Sequence, residues 1–325
     1  MKLEFWGTRG SLAVPSGKTP KGIKRKTDKY GGNSTCVRIL SRKGSQHIID
    51  AGTGIKNLGD YLENKYSKDG LKIDIYFTHT HWDHIQGLPF FKPAYNERFD
   101  ITLHAQKKDE YDVGEALKEE LTSARGIKQI ISRQHEEKNF PAPPTTLKGI
   151  KKFVDFKPKD VIRNHDLIID TLELNHPGGC ITYKFSEFAE DQEDKADDGH
   201  GKFKSLVFST DFETDDGLKD KLLKEFIKDV DLWVADGQYE IDSEVNKHFK
   251  GCGHSDPFKL IDYAIESCVK ILVITHHSPK MDDRYHDDLQ KRLQRYAKEK
   301  SGMDEKKNIT SFKVALAKEG DIYEI

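Results

Sequence analysis

Four side chains able to bind a metal ion, His79, His81, Asp83 and His84, are packed into the stretch Thr78-His79-Thr80-His81-Trp82-Asp83-His84. Imidazole suits zinc or iron, and a carboxylate beside it adds a harder oxygen ligand. The stretch directly follows Ile73-Asp74-Ile75-Tyr76-Phe77, a run of β-branched and aromatic residues that reads as a buried strand. Past its end the backbone must loop. His79 and His81 then point the same way from alternate positions, while Asp83 and His84 fold back toward a second point.

Other strand ends repeat the theme. Asp50 closes a strand before Ala51-Gly52-Thr53-Gly54, and His176 follows the alternating run Leu167–Leu174, where Pro177, Gly178 and Gly179 force a turn. Asp211 follows Lys204–Ser209, and His276 follows Lys270–Ile274 through Thr275. Strand ends on one edge of a layered sheet converge, so these residues are expected to meet. The donors divide into His79, His81 and His176 for one ion and Asp83, His84 and His276 for a second, with Asp211 placed to bridge. Such a set leaves room for a shared hydroxide, as a hydrolytic site requires. Asp50 either caps the helix after it or buttresses the histidines from behind.

The elements that must hold these residues alternate along the chain. Strands are expected at Leu3–Trp6, Thr35–Leu40, Gln46–Asp50, Cys180–Phe185 and Leu232–Ala235, the last ending at Asp236. The spacing of Ile55, Leu58, Tyr61 and Leu62 predicts a helix over 54–66, and amphipathic helices are expected over 217–228 and Pro257–Ser267. Ser255 or Asp256 would cap the latter, with proline in its first turn. A highly charged helix over 282–300 and short strands near 309–314 and 321–325 would finish the chain. This alternation predicts a layered α/β fold. Leu88-Pro89-Phe90-Phe91 is apolar and is expected to wall the site.

At 325 residues with 35% hydrophobic content, the sequence suits one domain, residues 1–325, with surface insertions near 125–163 and 187–200. The first insertion is rich in Lys and Arg and reads as a solvated excursion or a phosphate-attracting rim; the second is acidic. A net charge of −2 and a pI near 6.7 argue against a general polyanion binder, so any nucleic-acid affinity must be local. Cys36, Cys180, Cys252 and Cys268 are widely scattered and form no CxxC pair, so neither a zinc ribbon nor a disulfide framework is indicated, which fits a reducing, cytoplasmic setting. Neither a signal-peptide core nor a membrane-length apolar run is visible.

The spaced cluster His79-x-His81-x-Asp83-His84, followed in order by His176, Asp211 and His276, resembles the full metal-ligand set of the metallo-β-lactamase superfamily over nearly the whole chain. The resemblance implies a four-layer αββα sandwich with a dinuclear, usually zinc, site at one edge; manganese and iron are alternatives. Gly253-His254-Ser255 resembles a motif of the ribonuclease Z branch, as do Phe-Trp-Gly-Thr-Arg-Gly-Ser and Tyr-Gly-Gly-Asn-Ser-Thr near the start. Within that branch the chain is most similar to phosphodiesterases that include bacterial cyclic-nucleotide phosphodiesterases and phage anti-Pycsar proteins. His276 rather than His277 matches the branch's Thr-His pattern.

The implied activity is hydrolysis of cyclic nucleotides or related small phosphodiesters by metal-activated hydroxide. Asp83 would orient or deprotonate the water while ligating, and His254 would protonate the departing oxygen. Two alternatives stand beside it: a tRNA 3′-processing endoribonuclease acting on RNA, and a non-catalytic metal-binding module. The basic segment 125–163 lacks the Gly/Pro-rich arm that would mark a tRNA clamp. Structural zinc sites are usually closed and cysteine-rich, which weighs against the non-catalytic module. A homodimer is compatible with the sequence.

Overall fold

The computed structural model describes residues 1–18, 22, 24–107, 126–164, 166–188, 203–240, 247–303 and 312–325. Its first sheet contains β1 (Lys2–Gly7), β4 (Cys36–Leu40), β5 (Gln46–Ile49), β6 (Lys72–Tyr76), β7 (Asp100–Gln106), β8 (Ile150–Phe156) and β16 (Ile322–Glu324), in the order β16-β1-β4-β5-β6-β7-β8. The second contains β9 (Val161–Asn164), β10 (Leu167–Leu174), β11 (Cys180–Phe188), β12 (Phe203–Ser209), β13 (Leu232–Asp236), β14 (Ile271–Thr275) and β15 (Lys313–Leu316), in the order β15-β14-β13-β12-β11-β10-β9. A small ribbon pairs β2 (Gly17–Lys18) with β3 (Lys24–Arg25).

Alternation along the strands builds three apolar layers. In β13, Leu232 and Val234 face the other sheet and join Phe5, Ile49, Tyr76 and Ile169, whereas Trp233 and Ala235 face the helices. In β5, Ile48 packs outward with Ile55, Leu58 and Leu62 of the helix Gly54–Tyr66, and Ile49 packs inward. Period-2 strands carrying apolar side chains on both faces can be covered only by a helix layer on each outer face. The helix Ile127–Gln134 helps cover the first sheet; Leu218–Phe226, Pro257–Glu266 and Asp283–Met303 cover the second. The result is the αββα sandwich of the metallo-β-lactamase fold.

The parallel strands matter most for function. β5, β6 and β7 run parallel, as do β12, β13 and β14, so their carboxyl ends deliver residues to one edge of the sandwich. In α/β sheets that edge is where ligands bind. Asp50, Asp211 and His276, each just past such a strand end, have φ of 61°, 51° and 61°. Left-handed backbone costs a residue with a Cβ roughly 1–2 kcal/mol, and such strain gathers at functional sites.

The segment 125–163 differs from the expected surface insertion. Its described part supplies the helix Ile127–Gln134 and, as β8 and β9, segments at the edges of both sheets; β9 continues to Asn164. Lys151 and Lys152 obscure β8 because they sit on an exposed edge, where charge blocks further strand pairing. Most of the acidic stretch 187–200 lies outside the described residues. The four cysteines are free. Among the described residues no helix is long and apolar enough to cross a membrane.

Candidate metal centre

Two clusters stand side by side at the carboxyl edge. Ligand-capable atoms of His79, His81 and His176 lie within 4.8 Å of one another, as do those of Asp83, His84, Asp211 and His276. The rings of His79 and His84 link the clusters, with centroids 4.3 Å apart. Both sheets contribute: β6 leads into His79, His81, Asp83 and His84, while strands of the second sheet lead into His176, Asp211 and His276. Asp211 shares the second cluster, with Oδ2 at 3.1 Å from His84 Nε2 and 3.2 Å from His276 Nε2.

Hydrogen bonds behind the rings fix which nitrogen faces inward. His84 Nδ1 donates to Asp50 Oδ2 at 2.7 Å, leaving Nε2 toward Asp83 and Asp211. His176 Nδ1 donates to Gly253 O at 3.0 Å, leaving Nε2 at 3.1 Å from His81 Nδ1. Such outer partners orient ligands and fix their tautomers. Asp50 therefore buttresses His84, and Thr53, which precedes the helix Gly54–Tyr66, makes no side-chain cap. Asp50 is itself held by Thr78, through N at 2.9 Å and Oγ1 at 2.9 Å.

The donor set fits a pair of divalent ions. Nε2 of His79 and Nε2 of His84 are buried without a hydrogen-bond partner. His84 Nε2 is close to two carboxylate oxygens, but the groups converge on common space instead of aligning as donor and acceptor. An unsatisfied buried polar atom costs about 1–3 kcal/mol, and two at one site point to a ligand. Burial, helped by His84, holds His79 well below the usual imidazole range, and burial also lowers His176, so both offer lone pairs at neutral pH. Burial presses the Asp83 and Asp211 carboxyls upward, but His84 and His276 reverse this and hold both well below the usual range. The carboxylates in turn raise His84 and His276 against their burial, so a divalent ion bound there would take the place of the imidazole protons.

His276 faces the second cluster, with Nε2 at 3.2 Å from Asp83 Oδ2. His277 turns away and donates Nε2 to Ala317 O at 2.8 Å. Gly10 passes so close to His276 that a Cβ there would lie 2.3 Å from Nδ1. Its neighbour Ser11 donates its backbone N–H to Asp83 Oδ2 at 2.8 Å.

His254 lies beside the second cluster, its ring stacked on His276 at 5.3 Å. Nδ1 donates to Asp236 Oδ2 at 2.7 Å, and Asp236 Oδ1 accepts from Gln238 N at 2.9 Å. The loop carrying His254 is clamped from both ends. Glu213 accepts from Gly251 N at 2.8 Å and Gly253 N at 3.1 Å, Ser255 Oγ donates to Phe212 O at 2.6 Å, and Asp256 caps the next helix at Phe258 N, 2.8 Å. Gly253, at φ +83°, leaves room for His176, since a Cβ would lie 2.2 Å from its Nδ1. Asp236, with Asp211, His254 and His276, forms a further group of converging donors. Sequence reasoning placed Asp236 at a strand end but gave it no part in the site; the acidic strand end that marked Asp50 and Asp211 marks it equally.

The apolar wall differs from expectation. Leu88 and Phe91 belong to the core under the helix Gly54–Tyr66, while Phe90 alone is exposed and meets Phe140 edge-on at 5.5 Å.

No family model matches the chain. It is 26% identical over 278 residues to a ribonuclease Z of Clostridium tetani, covering 75% of this chain and 83% of the relative. It superposes with a TM-score of 0.60 on the metallo-β-lactamase fold protein YhfI from Bacillus subtilis, at 16% identity over 99% of each chain. A diphosphatase from the PhnP family superposes with a TM-score of 0.56 at 16% identity, over 100% of this chain and 97% of that one. The topology, the order of the clustered residues along it and the superpositions agree: the chain has the metallo-β-lactamase fold, and its sequence is similar to that of a ribonuclease Z.

Proposed function

We propose that the protein is a metal-dependent phosphodiesterase of small phosphodiesters, cyclic nucleotides among them. The observation that carries this reading is the His254–Asp236 pair fixed beside two adjoining ligand clusters. His79, His81 and His176 would hold one divalent ion and Asp83, His84 and His276 the second, with Asp211 between them. Zinc suits the imidazole-rich set, and manganese or iron suits the carboxylates as well. Bound there, the ions would polarise the phosphoryl oxygens and make water a nucleophile at neutral pH.

The chain's own residues supply the rest. Asp83, held ionised and positioned by Ser11 N, can orient the attacking water by accepting a hydrogen bond from it. His254 keeps its Nδ1 proton on Asp236, so a second proton, taken up at Nε2 to give the imidazolium, is the one that can pass to the departing oxygen. A phosphate needs neutralisation and a leaving alkoxide needs a proton; this edge of the sandwich offers both.

Processing of RNA ends is the second reading, favoured by the similarity to a ribonuclease Z over 75% of the chain. The test is elemental analysis of the purified protein together with turnover of bis-p-nitrophenyl phosphate, cyclic mononucleotides, cyclic dinucleotides and pre-tRNA. Two metal equivalents and the highest kcat/KM on a small phosphodiester support the first reading. Faster cleavage of pre-tRNA would replace it with the second, and no turnover of any ester would refute both.

A further inference from the structure

The edge of the sandwich opposite the ligand clusters holds a cavity of about 770 Å³. Gln46 and Lys72, the first residues of β5 and β6, border it from the first sheet; Leu167 and Phe188, where β10 begins and β11 ends, border it from the second. β5, β6 and β10 carry Asp50, His79 and His176 just beyond their other ends. The hollow therefore opens where the two sheets part, at the far end of the strands that build the metal centre.

Three kinds of surface meet in it. Leu71, Ile168 and Phe188 are apolar and partly exposed, and the Phe188 ring packs on Phe203 at 4.5 Å. Lys72 and Arg163 are exposed cations that form no ion pair among the described residues, and Arg42 and Lys43 add positive charge from the turn between β4 and β5. Of the two carboxylates, Glu187 is occupied: it pairs with the Met1 ammonium and accepts from Arg42 N at 3.0 Å. Asp166 is only half occupied. Its Oδ1 accepts from Ser45 Oγ at 2.6 Å, whereas Oδ2 is buried without a hydrogen-bond partner among the described residues. Burial presses the Asp166 carboxyl upward, but hydrogen bonds from Ser41 and Ser45 outweigh it and hold the group below the usual carboxylate range. A buried acceptor left unpaired is unfavourable, so an incoming N–H donor gains more there than at an oxygen in water.

These surfaces set out the parts of one kind of ligand. Two cations without a counter-charge match a phosphate monoester, which carries about −1.5 to −2 charge at neutral pH. The apolar strip suits the face of a ring, and the unpaired Asp166 oxygen suits an amino group on that ring's edge. The volume lies within the roughly 300–1,000 Å³ of small-molecule sites. We propose that this cavity is a second ligand site, separate from the metal centre, for a nucleoside monophosphate whose base carries an exocyclic amino group. The phosphate meets Lys72 and Arg163, the base covers Leu71, Ile168 and Phe188, and the amino group donates to Asp166 Oδ2.

The site takes no part in hydrolysis, so its test is binding, and the result stands whether or not the protein cleaves any ester. AMP is titrated calorimetrically into the purified wild type, into the double variant Lys72→Gln, Arg163→Gln and into Asp166→Asn, which keeps an acceptor for Ser45. The double variant should bind AMP about tenfold more weakly, the size expected of two exposed charge contacts. No AMP binding to the wild type overturns the site. So does binding that the double variant leaves unchanged, which would put the nucleotide at the metal edge instead. The base contact is read with purine riboside 5′-monophosphate, which lacks the amino group. The wild type should prefer AMP to it about tenfold, as for a hydrogen bond to a charged acceptor, and Asp166→Asn should lose the preference. Equal affinity of the wild type for the two nucleotides, or a preference that survives in Asp166→Asn, overturns the assignment. Should Asp166→Asn fail to fold, the double variant and the wild type's choice between the two nucleotides still decide.

Discussion

The Asp50 carboxylate stands 2.7 Å from His84 Nδ1, and both side chains are fully buried. Asp50 comes from the end of β5 and His84 from the short helix Trp82–Ile85 after β6, so the ends of neighbouring parallel strands set the ring's tautomer. Asp50→Asn should leave the chain folded and weaken metal binding about 10- to 100-fold, the usual effect of losing an outer partner. Chelator competition measures this, and the ion near His84 should be lost before the one near His176. Unchanged affinity for both ions would remove Asp50 from the site's machinery.

Asp211 touches His84 and His276 from the second sheet. Asp211→Ala should therefore deplete both ions together if the side chain bridges them. Elemental analysis that finds one ion lost and one retained would restrict Asp211 to the second cluster.

His254 separates two kinds of leaving group. A ribose oxygen leaves poorly without a proton, whereas p-nitrophenolate is stable without one. His254→Ala should retain two metals and most turnover of bis-p-nitrophenyl phosphate, and lose roughly 10²- to 10⁴-fold on a nucleotide ester. Equal losses on both substrates would assign His254 to phosphate stabilisation instead.

His286 gives a pH dependence that involves no substrate. It is buried, donates Nδ1 to Asp282 O at 2.8 Å and packs against Tyr30, His277 and Tyr285. Burial, then the Arg9 guanidinium, lowers its pKa from 6.5 to about 4, with Asp282 and Asp287 opposing weakly. Between those values the unfolded chain binds a proton that the folded chain does not. This contribution to stability is complete above the unfolded value and is lost as pH falls through 6.5 toward 4, by about 1.4 kcal/mol per unit. Urea titrations at pH 7 and pH 5 should show a smaller fall for His286→Gln than for the wild type. The same fall in both would place the acid sensitivity elsewhere.

The alternation of strands and helices was legible because each element carries its own period: the helix at 54–66 and the strand Leu167–Leu174 fall where side-chain spacing puts them. The clustered histidines were legible because strand ends are fixed relative to one another by sheet pairing. β7 was missed although Ile101, Leu103 and Ala105 alternate in it with the polar Thr102 and His104, the spacing that marks a strand. His104 faces Asp74 across the sheet, a pairing that no local spacing reveals. The Asp236–His254 bond was out of reach for the same reason, since it joins residues brought together by β13 and a loop clamped at Glu213 and Asp256.

The chain passes from the first sheet to the second between Phe156 and Val161, and returns only for β16. Each stretch forms its own sheet and helix cover, and each brings part of the donor set, four residues from one and three from the other. A break in the polypeptide at this crossing would therefore divide the donors without dividing any sheet ladder other than that of β16. The two pieces would meet across the shared apolar layer and at the ligand edge. The protein is built like a hinged case whose clasp is the shared donor set, and a nicked form should hold together as a complex that divalent ions strengthen and chelators loosen.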